Sequence, residues 1–487
     1  MAKALVVGTG LGGLTTALRL ASRGFEVEMV EKYHQAGGRL NQLKKDGFTW
    51  DLGPSFFSMS YEFDEFVKFC GINMPFEFVE LDPLYAVNFR GSEKNFLIYK
   101  DLKKLAGEFE SIEPGFEKKA RKFLDESGKL FHDTFDKVVR RNFNGYFDYF
   151  LSLSTVPWGH APKMVRNVWD ELGRYFSSRE VKEILSLVAF FLGDTPFKTP
   201  AVYTLLSYTE LEHDGYHNVK GGMYKIVEGL LAELAKKGVT IHYNTEITGF
   251  TGNGDKMDSL IDSKGNHFKA DTYVINSDAA SFRGKVLERR KFSEANLDKM
   301  HWTMAPLTLY LGLDQKIPAL HHHHYFLGNN FQEYAGKIFK NEIGLDQPYY
   351  YVNTVSRFNP GSAPEGCESL FILCPVPHKL FKPDWSDREQ AADGIIADLS
   401  TRLGVDLPKH IISKTVIDPD GWEQAFGLHR GSGLGLAHDL NQIGAFRPSN
   451  RDEKFGNVFY VGASTLPGTG LPMAVISSKL VTERILS

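Results

Sequence analysis

The sequence predicts an α/β protein built on a parallel sheet, and three observations lead to this. An apolar run at residues 4–7 is followed at once by closely spaced glycines and then by apolar residues at helical spacing. A glycine loop, a helix-like run and further strand-like runs recur between residues 212 and 284. The chain ends with a strand-like run at 458–461, a loop rich in glycine and proline, and a helix-like run. Strands that alternate with helices form parallel sheets.

Composition indicates a globular protein of two or three domains. The 56 basic and 60 acidic residues of this 487-residue chain leave no electrostatic basis for nucleic-acid binding. Cys70, Cys367 and Cys374 form no CxxC pair, which favours a reducing cytoplasm. The first residues are too short for a secretory signal, and no window of 18 apolar residues predicts a spanning helix.

The first glycine loop has the spacing of a dinucleotide-binding fingerprint. Gly8, Gly10 and Gly13 form a GxGxxG pattern that includes Gly12, and Glu31 stands at the end of the next strand-like run. The first glycine allows the tight turn, the second lets backbone approach a pyrophosphate, and the third lets helix and strand pack. Glu31 can accept hydrogen bonds from a ribose. At this point nicotinamide and flavin dinucleotides both remain open.

The residues after Glu31 distinguish between the two cofactors. It contains Gly37-Gly38-Arg39 and then "DLGPS" at 51–55, and Arg39 can neutralise pyrophosphate charge or lie against a flavin ring. This layout resembles the two-dinucleotide-binding-motif flavoproteins, which include amine oxidases, protoporphyrinogen oxidase and carotenoid desaturases. The resemblance implies a Rossmann-like domain that binds FAD rather than NAD. It extends the expected FAD site to Gly38, Arg39, Ser55 and Phe56.

Residues 59–211 are predicted to form a helical region. Apolar residues from Phe116 to Val138 recur at helical spacing and predict a helix with one side in the core. Between residues 140 and 170, seven Phe, Tyr and Trp side chains mingle with arginine and lysine. Such a mixture suits a surface that rests on a membrane, and it also suits a buried aromatic helix pair with solvated basic residues. Both interpretations stay open.

Residues 212–284 predict a second glycine loop, an amphipathic helix, a strand at 239–243, a hairpin and a strand at 272–275. In the resembled flavoproteins, the residue two past an "NTE"-like stretch meets the adenine through its backbone atoms, a position that Ile247 or Glu246 would fill. Asn276 closes a strand that points toward the cofactor. His213 and Asp214, beside the glycine loop, are candidates for accepting a proton.

Residues 285–414 predict a second layer. "PLTLYLGL" reads as a half-buried strand, and "YYYVNTV" and "SLFILCPV" supply two more. The four consecutive histidines, 321–324, are predicted to form a polar loop without a metal. Neighbouring residues of a strand point to opposite sides, and no Asp, Glu or Cys accompanies these histidines at ligand spacing.

The C-terminal text "NVFYVGASTLPGTGLPMAVISSKLV" is similar to the closing signature of the bacterial-type phytoene desaturase family. The similarity covers the whole chain and is greatest to hydroxycarotenoid 3,4-desaturases. In this family the loop and the N-terminus of the last helix meet the flavin. The matching residues are Gly462, Ala463, Thr465, Pro467, Gly468, Gly470 and Pro472. The expected FAD site at this end consists of Gly462, Ala463, Gly470, Leu471, Pro472 and Met473. The apolar residues of Leu466-Pro467 and Leu471-Pro472-Met473 depart from those of other members, which leaves the choice of substrate open.

The resemblance implies FAD-dependent insertion of a C=C bond into a C40 carotenoid at a membrane surface, with quinone or oxygen as electron acceptor. We expect 3,4-desaturation of a 1-hydroxylated carotenoid. Alternatives are a phytoene desaturase or carotene desaturase/isomerase, an amine or protoporphyrinogen oxidase, and a non-enzymatic prenyl-binding escort protein. Escort relatives have degraded phosphate loops, whereas every glycine is present here. The expected fold is an amine-oxidase-like FAD domain (1–58, 212–284 and 415–487) interlaced with the helical region 59–211 and a mixed α+β substrate domain, 285–414.

Overall fold

The structure is a computed structural model that describes residues 1–341 and 347–487. Its strands are β1 (Lys3–Val7), β2 (Glu26–Val30), β3 (Gln42–Lys45), β4 (Phe48–Asp51), β5 (Phe78–Glu80), β6 (Tyr85–Phe89), β7 (Asn95–Ile98), β8 (His217–Val219), β9 (Thr240–His242), β10 (Ile247–Asn253), β11 (Lys256–Asp262), β12 (His267–Phe268), β13 (Thr272–Ile275), β14 (Ala305–Leu313), β15 (His323–Leu327), β16 (Tyr350–Thr354), β17 (Glu368–Val376), β18 (Ile411–Ile417) and β19 (Val458–Tyr460). Its α-helices are α1 (Leu11–Ala21), α2 (Tyr61–Cys70), α3 (Leu102–Phe109), α4 (Phe116–Thr134), α5 (Tyr146–Ser154), α6 (Pro162–Val165), α7 (Val168–Leu172), α8 (Arg179–Leu185), α9 (Val188–Phe191), α10 (Leu205–Tyr208), α11 (Lys225–Lys236), α12 (Ala279–Lys285), α13 (Glu294–Leu297), α14 (Phe331–Lys337), α15 (Val355–Phe358), α16 (Arg388–Leu403), α17 (Pro419–Phe426) and α18 (Leu471–Leu486).

A five-stranded parallel sheet has the order β19-β13-β1-β2-β9, with β1 at its centre. Successive side chains of a strand point to opposite sides. Ala4 and Val6 therefore enter a core with α1, α11 and α18, while Leu5 and Val7 enter a core shared with β10 and β11. A strand covered on both sides needs a continuous apolar run, which is what this part of the sequence contains.

The parallel sheet collects strands from residues 1–58, 212–284 and 415–487. These are the three pieces that the sequence assigned to one discontinuous domain, although the division of the whole chain into domains stays a prediction. The strands expected at 272–275 and 458–461 are present as β13 and β19, the latter one residue shorter.

A second sheet has seven strands in the order β18-β14-β17-β16-β15-β6-β7. Neighbouring strands are antiparallel except β15 and β6, which are parallel. All nine residues of β14 are buried, so the prediction of a half-buried strand was wrong. The reason is that its two sides enter different cores: Leu309 and Leu311 pack with α16, while Tyr310 packs with Trp50.

The expectation that residues 59–211 are helical throughout was wrong between 78 and 98. Three strands, β5, β6 and β7, lie in this segment, and β6 joins the seven-stranded sheet beside β15. This pairing joins parts of the chain that are far apart in sequence, so no local sequence pattern predicts it. The apolar stripe predicted after residue 116 is present in α4, where Phe116, Phe123 and Phe131 are buried.

The loop predicted for the four histidines is present only at His321 and His322, and the prediction was wrong for His323 and His324. β15 begins at His323, and both His323 and His324 are buried. The Nδ1 atom of His323 lies 2.5 Å from the Tyr351 hydroxyl, which connects β15 to β16. Among residues 1–341 and 347–487, no cluster of three or more His, Cys, Asp or Glu side chains has a metal-binding arrangement.

In the same described residues, no helix combines the length and the apolar character that crossing a membrane requires.

The packing of α1 on β1 gives a test of the glycine pattern. A methyl group on Gly13 would lie 2.2 Å from the Gly8 carbonyl oxygen, whereas one on Gly107 in α3 would meet nothing within 4 Å. We expect Gly13→Ala to lower the free energy of unfolding by about 1–3 kcal/mol through overpacking. The matched control Gly107→Ala should raise it by up to about 1 kcal/mol, because alanine favours a helix. Urea-induced unfolding measures both, and equal effects would contradict the assigned packing.

Candidate functional site

A cavity of about 1040 Å³ lies where the carboxyl ends of the parallel strands meet the seven-stranded sheet. Residues that follow β1, β2, β13 and β19 line it on one side, and residues of β15, β16 and β17 line it on the other. Ligands of α/β proteins bind at the carboxyl ends of parallel strands. Both glycine-rich loops open on this cavity.

The first glycine loop forms a floor of bare backbone. Gly8 has φ 97°, and its N–H donates to the Val30 carbonyl at 2.8 Å. A methyl group on Gly10 would lie 2.8 Å from the Asn276 Oδ1 atom, and one on Gly38 would lie 3.2 Å from the Gly10 Cα. Any side chain larger than a hydrogen atom at Gly10 or Gly38 would therefore contact the neighbouring segment and occupy the space above this backbone.

The N-terminus of α1 completes the floor. Gly10 is its N-cap and supplies no side-chain acceptor, so the first N–H groups of the helix have no side-chain cap. Gly10 and Gly12 both line the cavity. Free N–H groups at a helix N-terminus, bare backbone and a positive dipole end fit the pyrophosphate of a dinucleotide. The buried Oδ1 atom of Asn276, for which the described residues provide no hydrogen-bond donor, is a polar atom at the same place.

Glu31 is held in place from two sides. Its Oε2 atom accepts hydrogen bonds from the Thr9 N–H at 2.9 Å and the Thr9 hydroxyl at 2.5 Å, and Oε1 accepts from the Tyr33 N–H at 3.1 Å. A carboxylate oxygen accepts more than one hydrogen bond, so Oε1 keeps capacity for a ribose hydroxyl. The Thr245 N–H donates to the Glu31 carbonyl at 2.8 Å, which brings Ile247 to the same end of the cavity.

Arg39 lies half-buried in the cavity wall. Its Nη1 group donates to the Gly433 carbonyl at 3.1 Å. Burial lowers the pKa of the Arg39 guanidinium, and the nearby Asp278 carboxylate partly offsets this. An arginine remains charged under these conditions, so the side chain can meet an anionic group of a cofactor.

The C-terminal loop supplies a second stretch of bare backbone. Gly462 has φ 117° and Gly470 has φ 121°, a region that side-chain-bearing residues rarely adopt. Gly470 is the N-cap of α18 without a side-chain acceptor, and Pro472 occupies the first turn. A second helix N-terminus therefore points its N–H groups at the cavity.

Arg447 fixes the position of the C-terminal loop, and no sequence motif indicated this role for Arg447. Its guanidinium donates to the carbonyls of Ala463 at 2.5 Å and Thr465 at 3.0 Å, and to three carbonyls between residues 436 and 442. Burial lowers the pKa of Arg447 to about 10, which still leaves it charged at neutral pH. Five backbone acceptors on one buried side chain fix the path of the loop.

His438 is a second residue that the sequence did not indicate. Its Nε2 atom accepts from the Thr469 N–H at 3.2 Å, and it lines the cavity. Burial and the charge of Arg447 hold the pKa of His438 well below its usual range, so the ring is neutral. This hydrogen bond connects His438 to the C-terminal loop.

The rest of the cavity wall is mainly apolar and aromatic. It comes from helices of the segment 59–211 and from the seven-stranded sheet, and only the high Phe and Tyr content of the sequence pointed to it. The wall includes Tyr149, Leu153, Phe190, Phe191, Tyr203, Leu206, Tyr216, Tyr325, Phe331, Tyr349, Tyr351 and Phe371. Such a wall suits a long hydrocarbon.

The structure brings almost all the predicted cofactor residues to this cavity. Those that line it are Gly8, Gly10, Gly12, Glu31, Gly38, Arg39, Ser55, Phe56, Ile247, Asn276, Gly462, Ala463, Gly470, Leu471, Pro472 and Met473. Gly13 does not line it and instead packs α1 on β1. That each of these residues binds FAD stays a prediction.

The two candidate proton acceptors do not lie at the cavity. His213 is exposed, and its ring lies against Tyr61 and Tyr208. Asp214 accepts hydrogen bonds from the N–H and the hydroxyl of Ser60. Proximity in sequence to the second glycine loop suggested them, but the π-helical turn Thr209–His213 directs both away from the cavity.

Comparisons with known proteins agree with this geometry. The sequence profile described as "Flavin containing amine oxidoreductase" matches residues 11–486. The zeta-carotene-forming phytoene desaturase of Myxococcus xanthus is 34% identical, covering 99% of this chain and 93% of that protein. The carotenoid 3,4-desaturase of Haloarcula japonica is 28% identical, covering 99% and 97%. The crystal structure of an oxidoreductase from Methanosarcina mazei has a TM-score of 0.65 at 16% identity, covering 99% and 100%, and shares the fold.

The C-terminal loop gives a test of the cofactor site. Gly470→Asp forces a side chain into a glycine conformation and adds a negative charge beside the α18 N–H groups that we expect to meet FAD. Because the new carboxylate would repel an anionic cofactor and occupy its place at the α18 N-terminus, we expect FAD retention to weaken by about tenfold or more. The ratio of flavin to protein after gel filtration measures this.

Gly145→Asp is the matched control. Gly145 is also a helix N-cap, with φ 126°, but it lies outside the cavity lining and its surroundings are open. It should retain FAD despite the same backbone strain. Unchanged flavin content in Gly470→Asp, or equal loss in both variants, would contradict the assignment of the C-terminal loop to the cofactor.

Proposed function

The chain belongs to the flavin containing amine oxidoreductase family and, within it, to the carotenoid desaturases, and we propose that it introduces a C=C bond into a long apolar carotenoid. FAD is its cofactor. The observation that supports the reaction is one cavity that combines two bare helix N-termini with a long aromatic wall. A dinucleotide and a hydrocarbon can therefore lie side by side in it.

We place 3,4-desaturation of a 1-hydroxylated carotenoid first among the substrates. In support, Tyr203 lines the largely apolar wall, and its hydroxyl group offers a partner to a substrate hydroxyl. The Haloarcula japonica relative is named a carotenoid 3,4-desaturase. Desaturation of phytoene is the second candidate, because the Myxococcus xanthus phytoene desaturase is more similar, at 34% against 28% identity.

The chain's own residues bind the substrate and exclude water. Burial of a hydrocarbon contributes about 25 cal/mol per Å² of apolar surface, so the aromatic wall provides most of the affinity. When bound, FAD accepts a hydride from an allylic C–H. The α18 N-terminus directs a positive dipole end to the cavity, where it stabilises negative charge. The loop held by Arg447 keeps this helix end in a fixed position.

We also propose that the protein is cytoplasmic and rests on a membrane through the α5 patch, defined as Tyr146, Phe147, Phe150, Leu151 and Trp158. All five side chains are exposed, Phe147 to 83% and Trp158 to 84%. Their exposure contradicts the alternative of a buried aromatic helix pair for these residues. Tyr149 and Leu153, on the inner side of the same helix, line the cavity. The patch therefore lies beside the cavity and suits entry of a substrate from a lipid phase.

The basic residues near the patch are engaged in ion pairs, which has a consequence for membrane binding. The pairs are Arg140 with Glu62, Arg141 with Asp148 at 2.6 Å, Lys163 with Glu171 at 2.8 Å, and Arg166 with Glu171. Attraction to anionic lipids is therefore weak, and apolar insertion should dominate. Such binding changes little with salt concentration.

Vesicle flotation tests the α5 patch. We expect the protein to float with phosphatidylcholine vesicles at low and high salt, and Phe147→Glu with Trp158→Glu to abolish flotation. Ile412→Glu is the matched control, since Ile412 is also exposed, to 55%, on β18. A protein that stays unbound, or a control that loses binding equally, would refute the assignment of the patch.

Product analysis tests the activity. FAD-loaded protein is incubated with vesicles that contain phytoene or a 1-hydroxylated carotenoid, with a quinone or oxygen as electron acceptor, and the products are separated by chromatography. We expect one more conjugated C=C bond at the 3,4 position of the hydroxylated chain. Conversion of phytoene alone would favour the second candidate. Oxidation of an amine or of protoporphyrinogen with no change in either carotenoid would refute both.

A further inference from the structure

A buried carboxyl group beside the cavity is not accounted for by the cofactor site. Glu210 lies in the π-helical turn Thr209–His213 and is only 3% exposed. Its Oε1 atom accepts a hydrogen bond from the Tyr85 hydroxyl at 2.6 Å, and the Tyr216 side chain lies beside the same carboxyl group and affects its pKa. Within the part of the chain that the structure describes, no lysine, arginine or histidine forms an ion pair with it. Burial of an unpaired carboxylate is costly, so its presence here calls for a physical reason.

Tyr216 connects this carboxyl to the cavity. Its side chain lines the cavity, and its ring packs on Phe56 at a centroid distance of 4.4 Å. Phe56 is one of the residues that the sequence assigned to the FAD site, so Tyr216 lies where substrate and cofactor are expected to meet. Glu210 itself does not line the cavity. A proton that leaves the cavity on this side therefore meets the Tyr216 hydroxyl first and the Glu210 carboxylate next.

We propose that Glu210 takes up the proton released in the desaturation, with the Tyr216 hydroxyl as the relay between substrate and carboxylate. This role rests on the function proposed above. The reaction removes a hydride and a proton from neighbouring carbons. The hydride is accepted by oxidised FAD, and the electron pair of the second C–H bond becomes the new C=C bond. The released proton binds the phenol oxygen of Tyr216 while the phenol proton passes to Glu210, so that one carboxylate becomes one carboxylic acid.

The electrostatics of the turn support this role. Burial raises the pKa of Glu210 to about 7, and the hydrogen bonds from Tyr85 and Tyr216 partly counteract this effect. A carboxylate of that basicity accepts a proton near neutral pH much better than an exposed one. His438 also lines the cavity, but its lowered pKa makes it a weak proton acceptor.

The titratable groups around Glu210 are few and identifiable. Three tyrosines face it: Tyr85 of β6, Tyr216 of the segment before β8, and Tyr325 of β15. On its own turn, Glu212 pairs with Arg121 of α4 at 3.2 Å. Burial raises the pKa of each of the three tyrosines well above the ordinary value, so none of them ionises near neutral pH.

Anaerobic single-turnover kinetics test the proposal, with the loss of visible flavin absorbance on mixing with carotenoid vesicles as the signal. The base form of Glu210 is required, so the wild-type rate should rise with pH through about 7 and then level off. Glu210→Gln should reduce the rate by about 100-fold or more and abolish this rise, as expected for loss of a proton acceptor. Tyr216→Phe removes only the relay hydroxyl and should show a similar loss, even if Glu210→Gln folds poorly.

Two further variants separate a chemical role from a structural one. Tyr85→Phe removes a hydrogen bond that stabilises the Glu210 carboxylate, so the pKa rises and the pH at which the rate increases should move upward. Glu212→Gln is the matched control on the same turn and should leave the rate and its pH profile unchanged. A structural role for Glu210 would not produce the upward shift in Tyr85→Phe.

A readout independent of turnover completes the test. Infrared spectra of the wild type should show a protonated carboxyl band that appears as pH falls through about 7 and is missing in Glu210→Gln. Suppose that the wild type is active and that Glu210→Gln keeps its rate within about threefold and still shows the rise with pH. This result would overturn the role of Glu210 but not the proposed function. A change only in the preference between hydroxylated and unhydroxylated substrates would also overturn it, in favour of substrate recognition. If none of the carotenoids tested reduces the flavin of the wild-type protein, the proposed function itself is refuted.

Discussion

The close approach of backbone segments at the first glycine loop is the constraint on which the rest of the site depends. Gly8, Gly10 and Gly38 lie so near one another and Asn276 that a methyl group on Gly10 or Gly38 would touch a neighbouring segment. This packing leaves the α1 N–H groups without side-chain caps and opens the carboxyl ends of the parallel strands to the cavity. A dinucleotide phosphate is the ligand that such a surface favours. The position of the cofactor then determines which part of the aromatic wall can be reactive.

The cavity also shows how a mainly apolar site uses a few buried polar groups. Arg447 is buried, and its charge is balanced by five backbone carbonyls rather than by a carboxylate. Glu210 is buried and accepts a hydrogen bond from the Tyr85 hydroxyl, and among the described residues no basic side chain forms an ion pair with it. The first arrangement keeps a charge and uses it to fix a loop. The second makes the charged and neutral forms nearly equal in free energy, which is what proton uptake requires.

Sequence patterns were reliable where a structure is determined by neighbouring residues. The strand, glycine turn and helix from Lys3 to Ala21 are present as expected, and so is the helix that Pro472 begins. Patterns failed where a distant segment decides the environment. β6 is a strand because β15 lies beside it, and β14 is buried on both sides because α16 and Trp50 cover it. His323 and His324 are buried because β15 lies inside the seven-stranded sheet.

The sequence by itself determined the two glycine loops, Glu31 and the closing signature, because turn geometry and helix N-termini depend on residues within a few positions of one another. Nearly all the residues expected around FAD line one cavity. Only the tertiary structure decided where a proton can go. His213 and Asp214 are close to the glycine loop in sequence but turn away, whereas Glu210, Tyr216 and Tyr85 meet from separate elements. Burial and its effect on ionisation arise from contacts between distant segments, and no local pattern records them.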